Sequence, residues 1–432
     1  MLGKVLTLVV SVTALCGIPV SIIGAADLRI LSLERRGNLA WTNAFSTGVC
    51  TVEAAIAPVG PWVPQKNVFT TGSTGIIQLS LRGNNAFYRL RAVDVSGTAQ
   101  GFSNLCSSYS IVRTIGGKGD FGSDGFNGWD AQFEGGPATA AELSRPHFAM
   151  ADDAGNIYVA DKDGHAIRKL TPEGRIVTVA GTNEPGDDGN TPAPGTQLRL
   201  SSPNGLWVRG DGTVYILDLD NGKIRRLNTN GVMTTLFTVN GGIETGRGLW
   251  VKDDETLAYV ASGTSVKRWT PSAGVKTFAN DFVNLGNLVV DPSGKLVVTD
   301  RGGNRVYRIS NGGNSTAIAG NGDISGGGDG AMALETGLHG VRGVWFLPNG
   351  GYFLATHEGS QIWYVDTVGV IHLFVDGARN FHTGDGEYFK APGLKVSEVR
   401  SITMDRSGNI IITENDSGFI RVIDFLRLPG IN

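Results

Sequence analysis

Five polar side chains occur at one position of an internal repeat and could together bind an anion. When the repeat units are aligned by their glycine turns, this position holds His147, Asn204, Arg247, Gly286, Arg342 and Arg400. Guanidinium groups on one axis repel each other unless an anion or acidic side chains neutralise them. The pattern therefore predicts that Arg247, Arg342 and Arg400 bind a carboxylate, a phosphate or an acidic sugar. His147 and Asn204 would be hydrogen-bonding neighbours, and the alternative is that the arginines turn sideways and pair with Asp or Glu.

Aromatic side chains form a second group of candidates, because they could stack on a sugar ring or hold a peptide. They lie in two expected loops, 118–144 with Phe121, Phe126, Trp129 and Phe133, and 378–398 with Phe381, His382, Tyr388 and Phe389. The predicted ligand contacts are Trp129, Phe381, His382 and Tyr388. The alternative is that most of these rings fold inward and hold the loops together.

Both groups depend on strands that recur six times. Each unit has an apolar strand ending in a small or acidic residue, a polar turn, and a strand with a basic residue, as in Ile157 to Asp161 followed by Ile167 and Arg168. The apolar strands begin at 157, 214, 258, 296, 352 and 410. Repeats of β-branched strands and Gly, Asp or Asn turns are typical of propeller blades. We therefore predict an all-β fold, a six-bladed β-propeller preceded by a small β-sandwich.

The two ends of the repeat region complement each other. The sixth unit lacks an outer strand, while residues 110–117 form a spare strand similar to 176–181 and 315–320. We expect 110–117 to join blade 6, which would close the ring and protect an exposed edge. Long connections at 118–144, 182–201, 321–340 and 378–398 should share one face, and long loops in compact domains are commonly functional.

The repeat resembles the NHL-repeat family of propellers over residues 109–428. The most specific stretch runs from Gly135 to Pro146 and is followed by the strand Asn156 to Asp161. This resemblance implies a six-bladed propeller, but the family includes receptors, scaffolds and enzymes, so it does not decide the function. The strand Tyr88 to Asp94, together with Trp41, resembles a fibronectin type III domain, and the combination is similar to exported proteins of Verrucomicrobia-type bacteria.

Three segments follow from these patterns: a signal peptide at 1–26, the fibronectin type III-like sandwich at 27–108 and the propeller at 109–432. Lys4, the apolar run 5–23 and the small residues before Asp27 are typical of secretory signals, with an uncleaved membrane anchor as the alternative. The mature chain would be periplasmic, on the cell surface or extracellular, without membrane insertion after cleavage. Cys50 and Cys106 would either form a disulfide there or remain as two buried thiols.

Charge and histidine spacing narrow the classes of function. The formal net charge of −3 provides no basic footprint for a nucleic acid. The six histidines include no closely spaced ligand pair, and Asn204 alone among the ring residues suits a hard cation, so we predict no metal and no cofactor, with Ca or Zn as a minor alternative.

We therefore predict an exported, non-catalytic binding or scaffold protein. Its loop-bearing propeller face would bind a glycan, peptide or protein partner, with an anionic group as one option. The alternative is a metal-dependent hydrolase or lyase of the NHL or gluconolactonase-like propeller type. We lean against an enzyme because the sequence identifies no catalytic residue.

Overall fold

A computed structural model describes residues 28–34, 36–42, 44–79, 87–119, 125–414 and 418–425. The predicted signal segment 1–26 and Phe121 lie outside the described residues. Two compact units are present, one with the described residues up to Ser110 together with 347–350 and Phe425, the other with Ile111–Phe346 and Gly351–Asp424. Among the described residues, no helix has both the length and the apolar character that a bilayer span requires.

The smaller unit contains two three-stranded antiparallel sheets, ordered β1-β2-β5 and β4-β3-β6. Their strands are β1 (Arg29–Leu33), β2 (Asn38–Thr42), β3 (Gly48–Ala55), β4 (Val63–Thr70), β5 (Gly75–Gln78) and β6 (Phe87–Asp94). Alternate residues of each strand point inward. Leu39 and Trp41 of the first sheet therefore share one buried cluster with Val52 and Leu90 of the second.

Helix α1 (Ala99–Ser107) follows β6 and lies within the segment 27–108 that was predicted to be a β-sandwich. It begins at Thr98, whose hydroxyl oxygen accepts a hydrogen bond from the Gly101 N–H, a standard N-cap. Cys106 lies on the buried side of this helix, whereas Cys50 lies on β3. The two are buried thiols and form no disulfide, and burial raises the pKa of Cys50 to about 12. Of the two alternatives for these cysteines, the unbridged one is correct.

The larger unit is built from antiparallel sheets of four or five strands, which follow chain order across the sheet except for one added outer strand in sheet 2 and the outer strand of sheet 6. Sheet 1 contains β8 (Pro146–Ala151), β9 (Ile157–Asp161), β10 (Ala166–Leu170) and β11 (Ile176–Ala180). Sheet 2 contains β12 (Ala193–Pro194), β13 (Pro203–Val208), β14 (Val214–Asp218), β15 (Lys223–Leu227) and β16 (Val232–Thr238), with β12 at its outer edge. Sheet 3 contains β17 (Leu249–Val251), β18 (Ala258–Ser262), β19 (Ser265–Thr270) and β20 (Gly274–Ala279).

Three further sheets complete this unit in the described part of the chain. Sheet 4 contains β21 (Leu285–Val290), β22 (Leu296–Asp300), β23 (Arg305–Ile309) and β24 (Ser315–Ala319). Sheet 5 contains β25 (Val341–Phe346), β26 (Tyr352–Thr356), β27 (Gln361–Val365) and β28 (Ile371–Val375). Sheet 6 contains β29 (Val399–Met404), β30 (Ile410–Glu414) and β31 (Phe419–Phe425), and its outer strand is β7 (Tyr109–Gly116) from the start of the unit.

The first strands of the sheets surround a common axis. β8 contacts β13, β13 contacts β17, and the series continues through β21, β25 and β29, which contacts β8 again. Apolar clusters fill the spaces between neighbouring sheets, as where Leu206 of sheet 2 packs with Phe148 of sheet 1. This arrangement is a β-propeller, so the predicted all-β propeller class is confirmed. Arg113 of β7 pairs with Asp424 of β31, with 2.5 Å between Nε and Oδ2 and 2.8 Å between Nη2 and Oδ1.

Buried ion pairs recur where the second and third strands of a sheet meet. They are Arg168 Nε to Asp161 Oδ2 at 3.0 Å, Arg225 Nε to Asp218 Oδ2 at 3.0 Å and Arg421 Nη1 to Glu414 Oε1 at 3.3 Å. Sheet 4 has no basic residue at the equivalent position. The pairing of Val298 with Tyr307 places the tyrosine at the equivalent position, and Arg308 instead contacts Asp291.

We predict that these buried pairs contribute strongly to stability. Arg168→Ala would leave the fully buried Asp161 without its cation, and breaking a buried pair in this way typically costs about 3–5 kcal/mol in the free energy of unfolding. The matched control is Arg308→Ala, which breaks a pair whose arginine side chain is 43% exposed and should cost at most about 1 kcal/mol. Urea unfolding of both variants measures the difference, and equal losses would contradict this assignment.

Candidate functional site

A cavity of about 270 Å³ lies where the first strands of the propeller begin. Six of its lining side chains are cationic: Arg145, Lys162, Arg247, Arg301, Arg342 and Arg400. His147, Asn204, Thr245 and Asn284 add neutral polar groups. The residues that line this cavity include neither aspartate nor glutamate. Such a lining selects for a negatively charged ligand, because every charged group in it has the same sign.

Register within the repeat places the residues predicted for this site. His147, Asn204, Arg342 and Arg400 are the second residues of β8, β13, β25 and β29, respectively. Arg247 precedes the shorter β17 by two residues. Because these strands all start at the same end of the axis, the five side chains predicted from the sequence line one cavity.

Three further cations belong to this cavity and were missed by the sequence analysis. Lys162 directly follows β9 and Arg301 directly follows β22, so they share a second position of the repeat. Aligning the residue after each second strand would have found both. Arg145 directly precedes β8 and has a left-handed backbone with a φ of 62°, as Ser202 (φ 51°) has before β13 and Glu398 (φ 40°) before β29, so it occupies a third equivalent position of the repeat.

Nearby carboxylates neutralise the cavity only in part. Asp163 contacts Lys162 at 2.8 Å and Arg145 at 3.7 Å, measured between the charged nitrogens and the carboxylate oxygens. Glu358 contacts Arg301 at 3.4 Å and Arg342 at 3.5 Å in the same way. Four of the six cations therefore share two carboxylates. Arg342 therefore partly follows the alternative predicted from the sequence, in which the arginines pair with acidic side chains of the protein.

Several arginine N–H donors in the cavity have no acceptor. Arg247 Nε, Arg342 Nε and Arg342 Nη1 are buried and make no hydrogen bond to any described residue. The two side chains belong to residues that are 8% and 3% exposed, respectively, so bulk water cannot readily replace the missing acceptors. A buried donor without a partner destabilises the protein, and charged donors do so most strongly. These N–H groups are preorganised to bind oxygen atoms of an anion.

Burial and mutual repulsion disfavour the cationic forms in this cavity. Burial and the charge of Arg247 lower the pKa of Arg342 to about 7. Burial and the charge of Arg342 lower the pKa of Arg400 to about 8. The pKa of Arg247 lies well below its ordinary value, because of burial and then the charge of Arg400. A bound anion would oppose each of these shifts.

His147 and Asn204 add a neutral hydrogen-bonding pair. The Asn204 amide nitrogen donates to the Gly246 carbonyl, so its side-chain oxygen faces His147 Nδ1 and must accept a hydrogen bond from it. Burial, followed by the charges of Arg247 and Arg400, lowers the pKa of His147 well below its ordinary value. The imidazole is therefore neutral, and its buried Nε2, which has no partner among the described residues, is an acceptor.

The aromatic candidates divide into two groups. The guanidinium carbon of Arg168 lies over the Trp129 ring, 3.5 Å from the ring centroid. His382 Nδ1 lies 2.6 Å from Glu414 Oε2, and its ring stacks on Phe419 at 3.6 Å. Trp129 and His382 therefore pack against other side chains of the protein, as the alternative to ligand binding predicted. Phe381 and Tyr388, in contrast, are 55% and 47% exposed, respectively.

A second cavity, of about 280 Å³, is bordered by β28 and the chain that follows residue 388. Its lining mixes both signs of charge, since Asp329 and Asp376 accompany Lys390 and Lys395. Lys395 Nζ contacts Asp376 Oδ2 at 2.5 Å. Of these two cavities, only the first has charged lining residues that are all cationic. Nowhere in the described ranges do three His, Cys, Asp or Glu side chains come together to hold a metal ion.

Comparison with known proteins provides sequence relatives over parts of the chain. No protein-family model matches it. The protein SUPPRESSOR OF QUENCHING 1 of Arabidopsis thaliana is 34% identical over 90 residues, which are 20% of this chain and 8% of that protein. A gluconolactonase of Zymomonas mobilis is 26% identical over 183 residues, which are 35% of this chain and 48% of that protein. The chain thus spans less than half the length of these curated relatives.

Solved structures match a larger share of the chain. A Bacteroides thetaiotaomicron protein of unknown function aligns with a TM-score of 0.56 and 15% identity, covering 91% of this chain and 97% of that one. An auxiliary nutrient binding protein from Bacteroides ovatus aligns with a TM-score of 0.55 and 12% identity, covering 90% and 94%, respectively. At such identities the similarity shows the fold alone.

Proposed function

We propose that this protein is an exported binding protein that captures an anionic ligand at the mouth of the propeller channel. The chain would consist of a signal peptide at 1–26, a fibronectin type III-like spacer at 27–108 and a six-bladed NHL-type propeller at 109–432. The observation that carries the proposal is a cavity lined by six cationic side chains and by no carboxylate. Asp163 and Glu358, which contact four of these cations, leave guanidinium donors of Arg247 and Arg342 without an acceptor among the described residues.

A purely structural role does not account for these arginines. Taking a cation out of water costs several kcal/mol unless a partner and good hydrogen bonds compensate it. Arg168 and Arg225 show how this fold buries arginine for stability, because each has a carboxylate at 3.0 Å. Arg247 has no such contact among the described residues, and its Nε lacks an acceptor. A bound anion would supply the negative charge and the hydrogen-bond acceptor that Arg247 lacks among the described residues.

The size of the cavity restricts its ligand. Its volume of about 270 Å³ lies just below the range of roughly 300–1,000 Å³ that is usual for drug-sized ligands. It would hold one small molecule, or one acidic end group of a glycan or peptide. The exposed Phe381 and Tyr388 would contact a longer partner outside it. The Bacteroides ovatus protein of similar fold is likewise named as a nutrient binding protein.

Ligand-dependent stabilisation tests this proposal. Small carboxylates and phosphate esters should raise the melting temperature of the protein at constant ionic strength, while neutral sugars should not. A ligand at 100 times its dissociation constant stabilises the folded state by about 2.7 kcal/mol. If the anions shift the melting temperature no more than sodium chloride does, the cavity does not bind them.

We also predict that anion binding weakens as the pH rises. A bound anion raises the pKa of Arg342 from about 7 and that of Arg400 from about 8, so binding takes up protons. Affinity should be highest below pH about 7 and should fall as the pH rises to about 9. Calorimetric titration with a dicarboxylate that is fully ionised in this range, in buffers of different ionisation enthalpy, measures the affinity and the proton uptake. A constant affinity would show that both guanidinium groups remain charged in the empty cavity.

The second candidate function is a metal-dependent hydrolase or lyase, with Ca or Zn in the channel. Similarity to the gluconolactonase over 183 residues is the observation that favours it. Asn204 would be the channel residue best suited to a hard cation. Metal analysis of the purified protein, combined with a lactone hydrolysis assay, separates the two functions. Near-stoichiometric metal that is lost in Asn204→Ala, together with turnover, would replace the binding-protein proposal.

A further inference from the structure

We propose that the ligand of the channel-mouth cavity is a small hydroxylated molecule with at least two separate acidic groups, the class that includes doubly oxidised monosaccharides and phosphorylated sugar acids. This inference rests on the proposed function, since it specifies the ligand of the same site. It follows from the amount of charge, the placement of the unsatisfied donors and one buried acceptor.

The charge in the cavity exceeds what a singly charged ligand can neutralise. Arg145 and Lys162 share Asp163, while Arg301 and Arg342 share Glu358. Two carboxylates therefore serve four cations, and Glu398, whose charge acts on Arg342 and Arg400, brings the nearby carboxylates to three against six cations. A monocarboxylate would leave most of this excess in place, whereas a ligand with two or more negative charges would reduce it substantially.

The unsatisfied donors approach from separate sides. Arg247 lies two residues before β17 of sheet 3, whereas Arg342 lies on β25 of sheet 5. Around the axis, β17 contacts β21 and β21 contacts β25, so sheet 4 lies between them. Sheet 4 has Gly286 at the equivalent position and presents no side chain there. Two acidic groups at different ends of one molecule fit this separation better than a single group does.

One acceptor in the cavity calls for a ligand hydroxyl. His147 donates through Nδ1 to Asn204, so its Nε2 carries a lone pair. This nitrogen is buried and lacks a hydrogen-bond partner among the described residues. The cationic groups around it are donors only. A fully ionised carboxylate or phosphate has no proton to donate, so a hydroxyl group on the ligand is the complement of His147 Nε2.

Calorimetric titration of the wild-type protein with a matched series tests the inference at pH about 7 and fixed ionic strength. The series consists of glucarate and 6-phosphogluconate (two acidic groups, hydroxylated), gluconate (one acidic group, hydroxylated), adipate (two acidic groups, no hydroxyl), sulfate and glucose. Glucarate or 6-phosphogluconate should bind about tenfold or more tightly than gluconate and adipate, since one charge-assisted hydrogen bond is worth about that factor. Which of the two binds more tightly distinguishes a carboxylate from a phosphate ligand.

The other outcomes each have a definite meaning. Gluconate binding as tightly as the better of the two would overturn the requirement for two charges and leave the proposed anion site intact. Adipate binding as tightly would overturn the hydroxyl requirement, and sulfate binding as tightly would reduce the site to one for an inorganic ion. The absence of binding by every anion would overturn both the inference and the proposed function.

A substitution at His147 checks the hydroxyl contact separately. His147→Phe keeps a ring but removes the Nε2 acceptor, so glucarate should lose about tenfold in affinity while adipate should not. Equal losses for the two ligands would contradict the contact. If this variant fails to fold, the ratio of glucarate to adipate affinity in the wild-type protein decides the question.

Discussion

Replacing Arg342 by alanine should weaken anion binding by about tenfold or more, because one charge-assisted hydrogen bond to a buried ion is typically worth about 1.5–3 kcal/mol. Arg342 is 3% exposed and has two guanidinium nitrogens, Nε and Nη1, without acceptors among the described residues. Both would be available to a ligand. The affinity of the variant for the best anion, measured calorimetrically, provides the test.

The same substitution should not destabilise the empty protein as a lost core contact would. Burial and the charge of Arg247 lower the pKa of Arg342 to about 7, which means that the folded state disfavours this cation. Glu358 keeps its contact with Arg301 when Arg342 is removed. We therefore expect an unchanged or higher melting temperature without ligand, together with a smaller increase on adding the anion. Arg342→Met, which preserves more of the volume, should behave in the same way.

Arg308→Ala is the matched control, because Arg308 lies outside the cavity lining and contacts Asp291. Its anion affinity should equal that of the wild-type protein. An Arg342→Ala variant that binds the anion normally, or loses stability as a buried ion-pair variant does, would overturn the role of Arg342 in the site. Arg168→Ala provides the reference for the latter behaviour.

Removing residues 109–117 should abolish cooperative folding of the propeller, whereas removing 27–105 should leave it folded. The first deletion takes away β7, the outer strand of sheet 6, and with it the ion pair between Arg113 and Asp424. β31 would then have an unpaired edge, and its backbone groups would lose their partners. The second deletion removes none of the strands in sheets 1 to 6.

Thermal unfolding followed by circular dichroism compares the two truncated proteins. We expect one sharp transition after removal of 27–105, and a broad or absent transition when the chain starts at residue 118. Aggregation of the shorter protein would agree with an exposed sheet edge. A native-like, cooperative transition in that protein would show that the ring does not depend on β7.

The sequence by itself determined the strands and the main members of the cavity. Apolar runs such as Ile157 to Asp161 recur with glycine turns, and this local periodicity is enough to predict the strands. Equivalent positions in equivalent strands lie at equivalent heights along the axis. His147, Asn204 and Arg342 could therefore be placed at one site without coordinates.

Errors arose where local patterns were ambiguous. Helix α1 was missed because the short segment Ala99–Ser107 contains Gly101 and several serines, which also occur in loops. The repeat pattern also left open which residue of β23 takes the basic position, since strand pairing places Tyr307 rather than Arg308 opposite Val298. Trp129 and His382 stay predictions as ligand contacts, and the structure adds that each also contacts a charged side chain of the protein, Arg168 and Glu414, respectively.

Only the tertiary structure decided how the charges of the cavity are balanced. Coulomb energies depend on distances through space, and no spacing along the chain reveals that Glu358 reaches both Arg301 and Arg342. The burial that leaves Arg247 Nε without an acceptor likewise exists only when the first strands surround one axis. The repeat specified which residues occupy equivalent positions, whereas closure of the ring determined that they crowd together without enough carboxylates to neutralise them.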